Sequence, residues 1–371
     1  MTTRPIVLAT GGTGGHVFPA EALAGELEAR GMPFTLVTDS RGRQWQGALS
    51  RRPIHYIHSA SPTGSLQRRL MALLSLGLGL FDAWRALGRI GPAAVVGFGG
   101  YASVPTMLAA RLRRMPAMVH EQNAVLGKAN RWALGGVSKV ATSFARTRFV
   151  DEDRARLVGN PVRETVRTLR GTAYRAPGPD RVIDLLVFGG SQGAASFSKV
   201  IPEAILSLPA PMRARLRIVQ QCRPEDLEHV RALYLRADIV AELAPFFADL
   251  PQRLAGAHLV IGRSGASTVA ELATIGRPSI LIPYPYAADD HQTANARAFE
   301  ATGACIVIPH AEFTAPTLAR HLRALIAAPD HMAAMAAAAH AAGRPDAAAR
   351  LADLVGDLIA TPSLSPSGVA A

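Results

Sequence analysis

Short apolar runs alternate with longer amphipathic segments along most of this chain. Ile6-Val7-Leu8-Ala9 reads as a buried strand that ends in Gly11-Gly12-Thr13-Gly14-Gly15-His16. A helix is predicted from Pro19 to Arg30, closed by Gly31, and Phe34 to Thr38 is the next strand. Apolar strands separated by helices imply a parallel sheet covered on both faces. The rhythm continues through Ala94-Val95-Val96-Gly97, which enters the turn Phe98-Gly99-Gly100-Tyr101, and a helix from about Val104 to Arg113. Ala117-Met118-Val119 then ends in four polar side chains, His120-Glu121-Gln122-Asn123. Leu157 to Val162 is read as a last strand leaving a first domain, because Pro161 prevents a helix from running through.

The pattern starts again at Ile183, where Leu185 to Phe188 runs into Gly189-Gly190-Ser191-Gln192-Gly193. Strands are predicted at Leu216 to Gln220, Ala237 to Ala241, His258 to Ile261 and Pro278 to Pro283, with a helix from Glu225 to Leu235. Arg263-Ser264-Gly265-Ala266-Ser267-Thr268 opens a helix over Val269 to Ile275, and Asp289-Asp290-His291-Gln292 begins another. Residues 311–359 are Ala-rich and helical, interrupted by Pro329 and by Gly343 with Pro345, and 361–371 reads as a disordered tail. A chain of 371 residues exceeds what one core usually organises. Two α/β domains follow, with a boundary near Val162 and a linker over Arg163 to Pro179.

Each strand-to-glycine-to-helix junction presents free backbone N–H groups and the positive end of a helix dipole, where an anion can sit. Two such junctions predict two domains facing each other across a cleft. Asp39, after the second strand, is placed like the ribose-binding acid of dinucleotide folds. The spacing argues against that class: counted from Gly12, the last position of G-x-G-x-x-G is Val17. Neither loop is followed by Lys-Ser or Lys-Thr, so there is no P-loop either.

Charge changes the picture of the first half only. Residues 1–162 hold 20 Lys and Arg against 9 Asp and Glu, whereas 163–371 hold 20 against 19. A basic first domain points to an anionic partner, nucleic acid or an acidic membrane surface; an Arg- and Ala-rich composition is the plainer explanation. Leu66 to Leu87 joins apolar residues at helical spacing with Arg68, Arg69, Arg85 and Arg89, which suits either a helix in a membrane interface or an ordinary buried helix. Its continuous apolar part, Leu70 to Phe81, is shorter than the ~20 residues of a membrane span. Cys222 and Cys305 read as reduced structural thiols. No metal-ligand spacing is evident.

Two stretches carry candidate chemistry. In Arg263 to Glu271, Ser264 is placed to cap the helix, Gly265 to let a ligand approach, and the N–H groups of Ala266, Ser267 and Thr268 to hold a diphosphate without metal. Glu271 is placed to accept from a ribose diol; ordinary capping and dipole chemistry accounts for the same residues. Histidine's ordinary pKa near neutrality suits a general base, and His16 is the candidate; or it caps structure or contacts a ligand.

The combination of Gly11 to His16 with Val17-Phe18-Pro19-Ala20, Gly97 to Tyr101, His120 to Asn123, Gly159 to Arg163, Gly189 to Ala194, Arg263 to Glu271 and His291 to Asn295 closely resembles the MurG family, from about residue 5 to 360. Its members are UDP-N-acetylglucosamine–N-acetylmuramyl-(pentapeptide) pyrophosphoryl-undecaprenol N-acetylglucosamine transferases. The resemblance implies a GT-B fold of two Rossmann-like domains, with an acceptor and membrane domain over 1–162 and a UDP-sugar domain over 163–342. A helix over about 343–360 returns to the first domain. It also implies inverting transfer from UDP-N-acetylglucosamine to the C4 hydroxyl of an undecaprenyl-diphosphate-linked muramyl-pentapeptide, at the cytoplasmic face of the inner membrane, without cofactor or metal.

Carried onto this chain, the family roles make His16 the general base, Glu271 the ribose ligand, and Ala266, Ser267, Thr268, Val269 and Ala270 the wall beside the diphosphate. Ser191 and Arg163 line the nucleotide pocket, and Phe247 meets uracil through its backbone. Gln292 and Asn123 contact the transferred sugar, with Thr13, Gly14 and Gly15 closing over it. Leu250, where a methionine is familiar, and His291, where some relatives have glutamine, depart from the pattern. Rival readings are a GT-B enzyme for another sugar or lipid, a sugar-nucleotide-binding regulator that has lost catalysis, and a nucleic-acid binder, against which the lack of any nucleic-acid motif speaks.

Overall fold

A computed structural model describes residues 3–11, 14–44, 49, 52–60, 65–178, 180–190 and 193–360. The chain divides into two compact units, one running to Arg163 and taking back the chain from Asp346, the other Glu164–Pro345.

The first unit contains β1 (Ile6–Ala9), α1 (Gly14–Ala29), β2 (Phe34–Thr38), β3 (Ile54–Tyr56), α2 (Leu66–Ile90), β4 (Ala94–Gly97), α3 (Val104–Leu112), β5 (Ala117–Glu121), α4 (Lys128–Ala133), β6 (Lys139–Thr142) and β7 (Ala155–Leu157). Its described strands form one parallel sheet in the order β3-β2-β1-β4-β5-β6-β7. Ile6 to Ala9 pairs in register with Phe34 to Val37 on one side and Ala94 to Gly97 on the other. All four β1 side chains are fully buried, which is why that strand reads as an unbroken apolar run.

The second unit contains α5 (Glu164–Arg167), β8 (Ile183–Phe188), α6 (Ala195–Leu206), α7 (Ala210–Arg213), β9 (Leu216–Gln221), α8 (Leu227–Leu235), β10 (Val240–Ala244), α9 (Leu250–Gly256), β11 (Leu259–Gly262), α10 (Ala266–Ile275), β12 (Ser279–Leu281), α11 (His291–Glu300), β13 (Cys305–Val307), α12 (Ala315–Ala327) and α13 (Pro329–Ala342). Its parallel sheet has the order β10-β9-β8-β11-β12-β13. In both sheets the strand order reverses beside the first strand, between β1 and β4 and between β8 and β11. Ligands of open α/β sheets bind at such switch points, outside the strand C-termini.

The last described helix, α14 (Ala347–Ala360), belongs to the first unit. Its Leu351, Leu354, Val355 and Leu358 enter the core around Ile6 and Leu8. Arg30 on α1 donates to Asp353 at 2.6 Å and to the Ala349 carbonyl at 3.1 Å.

Several expectations are corrected. Strands β3, β6 and β13, of three or four residues, carry too little period to be read in advance. The strand expected at Leu157 to Val162 lies earlier, at Ala155–Leu157; beyond it the Val158 and Gly159 amides both donate to the Thr142 carbonyl. Helix α1 starts at Gly14, ahead of Pro19, so proline sits inside it and removes the amide that would bond to the Gly15 carbonyl. The segment after Arg163 is no free linker: Arg170 donates to the Thr274 and His340 carbonyls and binds it to the second unit. Asp39, which the loop spacing argues against as a ribose ligand, accepts from the Arg41 backbone at 3.1 Å and its guanidinium at 2.9 Å in a local turn. The tail at 361–371 lies outside the described residues. Cys222 and Cys305 are free and buried.

Helix α2 is also longer than its apolar stretch implied. Leu70–Ile90 has the length and mean hydropathy of a membrane span. One face nevertheless packs on its own unit: Ala83 and Leu87 are fully buried, and a Cβ on Gly79 would collide with the His58 carbonyl. A helix held lengthwise in this way lies along the unit.

A cavity of about 510 Å³ in the second unit is lined by Arg170, Tyr174, Gly276, Arg277 and His340, among others. Buried Arg277 points its donors at the Thr172, Ala255, Ile275 and Gly276 carbonyls, clamping the C-terminal ends of α9 and α10 where cations are favoured.

Candidate functional site

In the first unit, the ends of β1, β4 and β5 meet around His16, a partly exposed residue in the first turn of α1. Its Nδ1 lies 2.9 Å from the Phe98 carbonyl and 3.2 Å from Gln122 Oε1. The loop after β4 passes so close that a Cβ on Gly99 would reach 3.2 Å from that nitrogen. Gly99 and Gly100 have φ of +86° and +72°, so glycine is needed there for backbone shape as well as for space. Behind the ring, Gln122 Nε2 donates to the Phe98 carbonyl at 2.9 Å and approaches His120 Nδ1 at 3.2 Å. His120 Nε2 is 2.9 Å from the Gly159 carbonyl. Burial pushes His120 down to about 4, against the hydrogen bond to Gly159 that favours its charged form, and the nearby His16 adds to the depression.

Beside this, the buried Glu121 accepts from the Asn123 amide at 3.0 Å, its side chain at 3.1 Å, the Gly127 amide at 2.9 Å and Asn130 Nδ2 at 2.8 Å. This fixes the loop that carries Asn123.

In the second unit, β11 delivers the chain into the N-terminus of α10. Here the sequence reading of Ser264 is corrected. The N-cap is Gly265, without a side-chain cap, and Ser264 Oγ donates to the Gln292 carbonyl at 2.8 Å. Asn295 Nδ2 returns a bond to the Ser264 carbonyl at 3.1 Å. Ser264 therefore ties α11 to the start of α10, and the α10 amides have no capping side chain competing for them. Gln292 Oε1 accepts from the Tyr284 amide at 3.0 Å.

Ser267 Oγ is buried and without a hydrogen-bond partner among the described residues. Glu271, buried one turn further along, follows Ser267 at i+4 and Thr268 at i+3, positions that share a helix face.

Arg263 brings positive charge to the same junction. It donates to the Ile282 carbonyl at 3.1 Å, the Pro283 carbonyl at 3.0 Å and Ser196 Oγ at 3.2 Å, with its guanidinium 4.9 Å over the Phe197 ring. Burial lowers it to about 10, which leaves it charged at neutral pH. Gln221, at the end of β9, accepts from the Gly189 amide and donates to the Gly190 and Pro245 carbonyls, all at 3.0 Å. One side chain thus fixes both the glycine loop and the start of the segment that carries Phe247.

Residues 6–142 match the glycosyltransferase family 28 N-terminal domain, and residues 184–351 the glycosyltransferase family 28 C-terminal domain. A protein of Rhodospirillum centenum named UDP-N-acetylglucosamine–N-acetylmuramyl-(pentapeptide) pyrophosphoryl-undecaprenol N-acetylglucosamine transferase is 54% identical, over 96% of this chain and 94% of its own. A protein of the same name from Rhizobium rhizogenes is 49% identical over 98% of each chain. The crystal structure of Acinetobacter baumannii MurG superposes with a TM-score of 0.78 at 29% identity, covering 95% of this chain and 99% of that one. The chain belongs to the MurG family.

With the MurG family comes the GT-B fold, two Rossmann-like α/β domains. A UDP-GlcNAc 2-epimerase from Neisseria meningitidis, 11% identical with a TM-score of 0.65, covers 95% of this chain and all of its own, and shares the fold alone.

Of the residues singled out by the MurG resemblance, His16, Gly14, Gly15, Asn123 and Arg163 lie in the first unit, and Phe247, Ala266 to Glu271 and Gln292 in the second. Thr13 and Ser191 lie outside the described residues. Arg163, placed by sequence at the start of the second domain, is the last residue of the first unit, its guanidinium 4.5 Å over the Phe18 ring. Phe247 is buried beneath Arg253, 4.4 Å away, whose guanidinium is held by Glu242 at 2.7 Å and Asp249 at 2.8 Å. Missed by sequence were the positioning groups Gln122, His120 and Gln221. Polar side chains closing otherwise apolar strands were the available signal.

Proposed function

We propose that this protein transfers N-acetylglucosamine from UDP-N-acetylglucosamine to the C4 hydroxyl of an undecaprenyl-diphosphate-linked muramyl-pentapeptide, with inversion at the sugar carbon. The observation that carries the reading is likeness to transferases of that name over nearly the whole chain, both site-bearing halves included. The second unit holds the donor. The α10 amides from Ala266 to Thr268 and the Ser267 hydroxyl receive the diphosphate, Glu271 takes the ribose diol, and the Phe247 backbone meets the base. The family roles add Ser191 and Arg163 to the nucleotide contacts, and Gln292, Asn123, Thr13, Gly14 and Gly15 to those of the sugar.

The first unit holds the acceptor. His16 takes the proton from the C4 hydroxyl as its oxygen attacks the anomeric carbon and UDP departs from the opposite face. The positive end of α10 and the charge of Arg263 stabilise the leaving diphosphate, so neither metal nor cofactor is required.

On this reading the enzyme works as a peripheral protein at the cytoplasmic face of the inner membrane, where a lipid-linked acceptor is met. The outward face of α2 supports this, because Leu70, Met71, Leu73, Leu74, Leu78 and Phe81 are all more than half exposed. Arg85 lies over Phe81, and Arg113 over Trp84, so basic groups frame the apolar patch. The deciding experiment offers UDP-N-acetylglucosamine, UDP-glucose and UDP-galactose to the full-length protein with a lipid-linked muramyl-pentapeptide. Transfer confined largely to N-acetylglucosamine is expected. Preference for another sugar, or donor binding without any transfer, would sink the reading.

A further inference from the structure

A line of hydrogen bonds runs from the Gly159 carbonyl to His16, and its polarity can be assigned from end to end. A carbonyl oxygen only accepts, so at 2.9 Å from Gly159 the Nε2 of His120 carries hydrogen. Burial keeps that ring neutral, which leaves its Nδ1 as a lone pair. Gln122 Nε2, 3.2 Å away, donates to it and also to the Phe98 carbonyl at 2.9 Å. The amide nitrogen of Gln122 is thus turned inward and its Oε1 toward His16. The His16 Nδ1 now faces two oxygens that only accept, Phe98 O at 2.9 Å and Gln122 Oε1 at 3.2 Å.

We infer that Gln122, oriented by His120 and the Gly159 carbonyl, is a positioning residue that, together with the Phe98 carbonyl it also binds, holds His16 as the Nδ1–H tautomer and leaves Nε2 free to accept a proton. This rests on the reading of His16 as general base. The arrangement acts twice in the reaction. Before proton transfer it presents the basic nitrogen outward; afterwards the imidazolium keeps both Nδ1–H acceptors, which stabilise its charge. The oxygens do what the carboxylate does in a serine-protease triad, without a negative charge. Glu121, on the same strand, is occupied with Asn123, Gly127 and Asn130.

The test is nitrogen-detected NMR of histidine-labelled, full-length protein near pH 7.5, alongside transfer kinetics of Gln122→Leu and Gln122→Glu. His16 is expected as the Nδ1–H form and His120 as Nε2–H. Gln122→Leu should shift His16 toward the other tautomer and lower kcat about tenfold or more, within the ~10²–10⁴ that a general base supplies, with donor KM unchanged. Gln122→Glu keeps an acceptor at Nδ1 and adds charge. It should retain the tautomer, recover part of kcat and move the acidic limb of the pH profile upward.

A wild-type His16 carrying its proton on Nε2 would overturn the inference even if neither variant folds. So would a Gln122→Leu enzyme with reduced kcat and an unaltered tautomer. Near-normal turnover in His16→Ala, with the expected wild-type tautomers, would instead overturn the base reading.

Discussion

The two units repeat one topology and put opposite kinds of chemistry at the same place in it. Each has a parallel sheet with its switch point beside the first strand, and a glycine-rich turn on either side of that point. In the first unit those turns close on hydrogen-bonded side chains, His16, Gln122 and His120, which suit the proposed proton transfer. In the second they lead to the free amides of α10 and a buried arginine, which are suited to fixed negative charge. Topology locates a site and leaves its chemistry to the few residues at the strand ends. The comparison breaks most decisively at His16. His16→Ala should lower kcat by ~10²–10⁴ while the affinity for UDP-N-acetylglucosamine stays near wild type. A loss confined to donor affinity, measured by nucleotide titration, would move His16 to the donor side.

The second unit should respond in the reverse way. Removing two hydrogen bonds to a charged group, each ~1.5–3 kcal/mol, Glu271→Ala should weaken donor binding by about 100-fold or more. At saturating donor, turnover should change much less. Unchanged donor affinity by calorimetry would remove Glu271 from the ribose.

How much of this contrast was legible in the chain depended on the scale of the signal. Apolar runs such as Ile6 to Ala9 and Leu185 to Phe188, each leading to a glycine loop, announce the strands and junctions that frame both sites. Short strands such as Ile54–Tyr56 and Cys305–Val307 form because neighbouring strands offer them partners, a condition that no local pattern records. The same limit hid the site's interior. His120, Gln122 and Gln221 look like polar ends of strands, and their roles arise from carbonyls 24 to 39 residues away in sequence. Ser264 was misread because a serine before a helix usually caps it. Here the Gln292 carbonyl, 28 residues on, takes its hydroxyl.

His120 also gives the first unit a pH dependence with a definite sign. Its folded value of about 4 lies below histidine's ordinary value of 6.5, so the unfolded chain binds the proton more readily. The associated stability is present in full above about pH 6.5 and is lost as pH falls toward 4. By pH 5 the loss should reach roughly 2 kcal/mol. Denaturant unfolding of wild type and His120→Asn at pH 7.5 and 5 measures it, since the difference between them isolates this residue from His55, His258, His310 and His321, which are shifted the same way. Equal pH slopes in the two proteins would mean that the buried ring is not the source.

The smallest predicted effect per substitution concerns the surface, where the units also differ. The exposed apolar side chains of the first unit are concentrated on α2, within the half of the chain that carries the excess positive charge. Such a face binds a bilayer by two separable forces: burial of each large side chain, worth ~1.5–3 kcal/mol when complete, and ~1 kcal/mol per basic residue near anionic lipid. Full burial is not reached at an interface. Phe81→Asp or Leu74→Asp should therefore weaken sedimentation with anionic vesicles by about tenfold each, while transfer to a water-soluble acceptor analogue stays unchanged. Raising the salt should weaken both variants further, because the basic groups around the patch remain and only their attraction is screened. If instead the variants bind vesicles as wild type does, and salt alone releases them, charge is the whole of the attraction and α2 is only a packed helix.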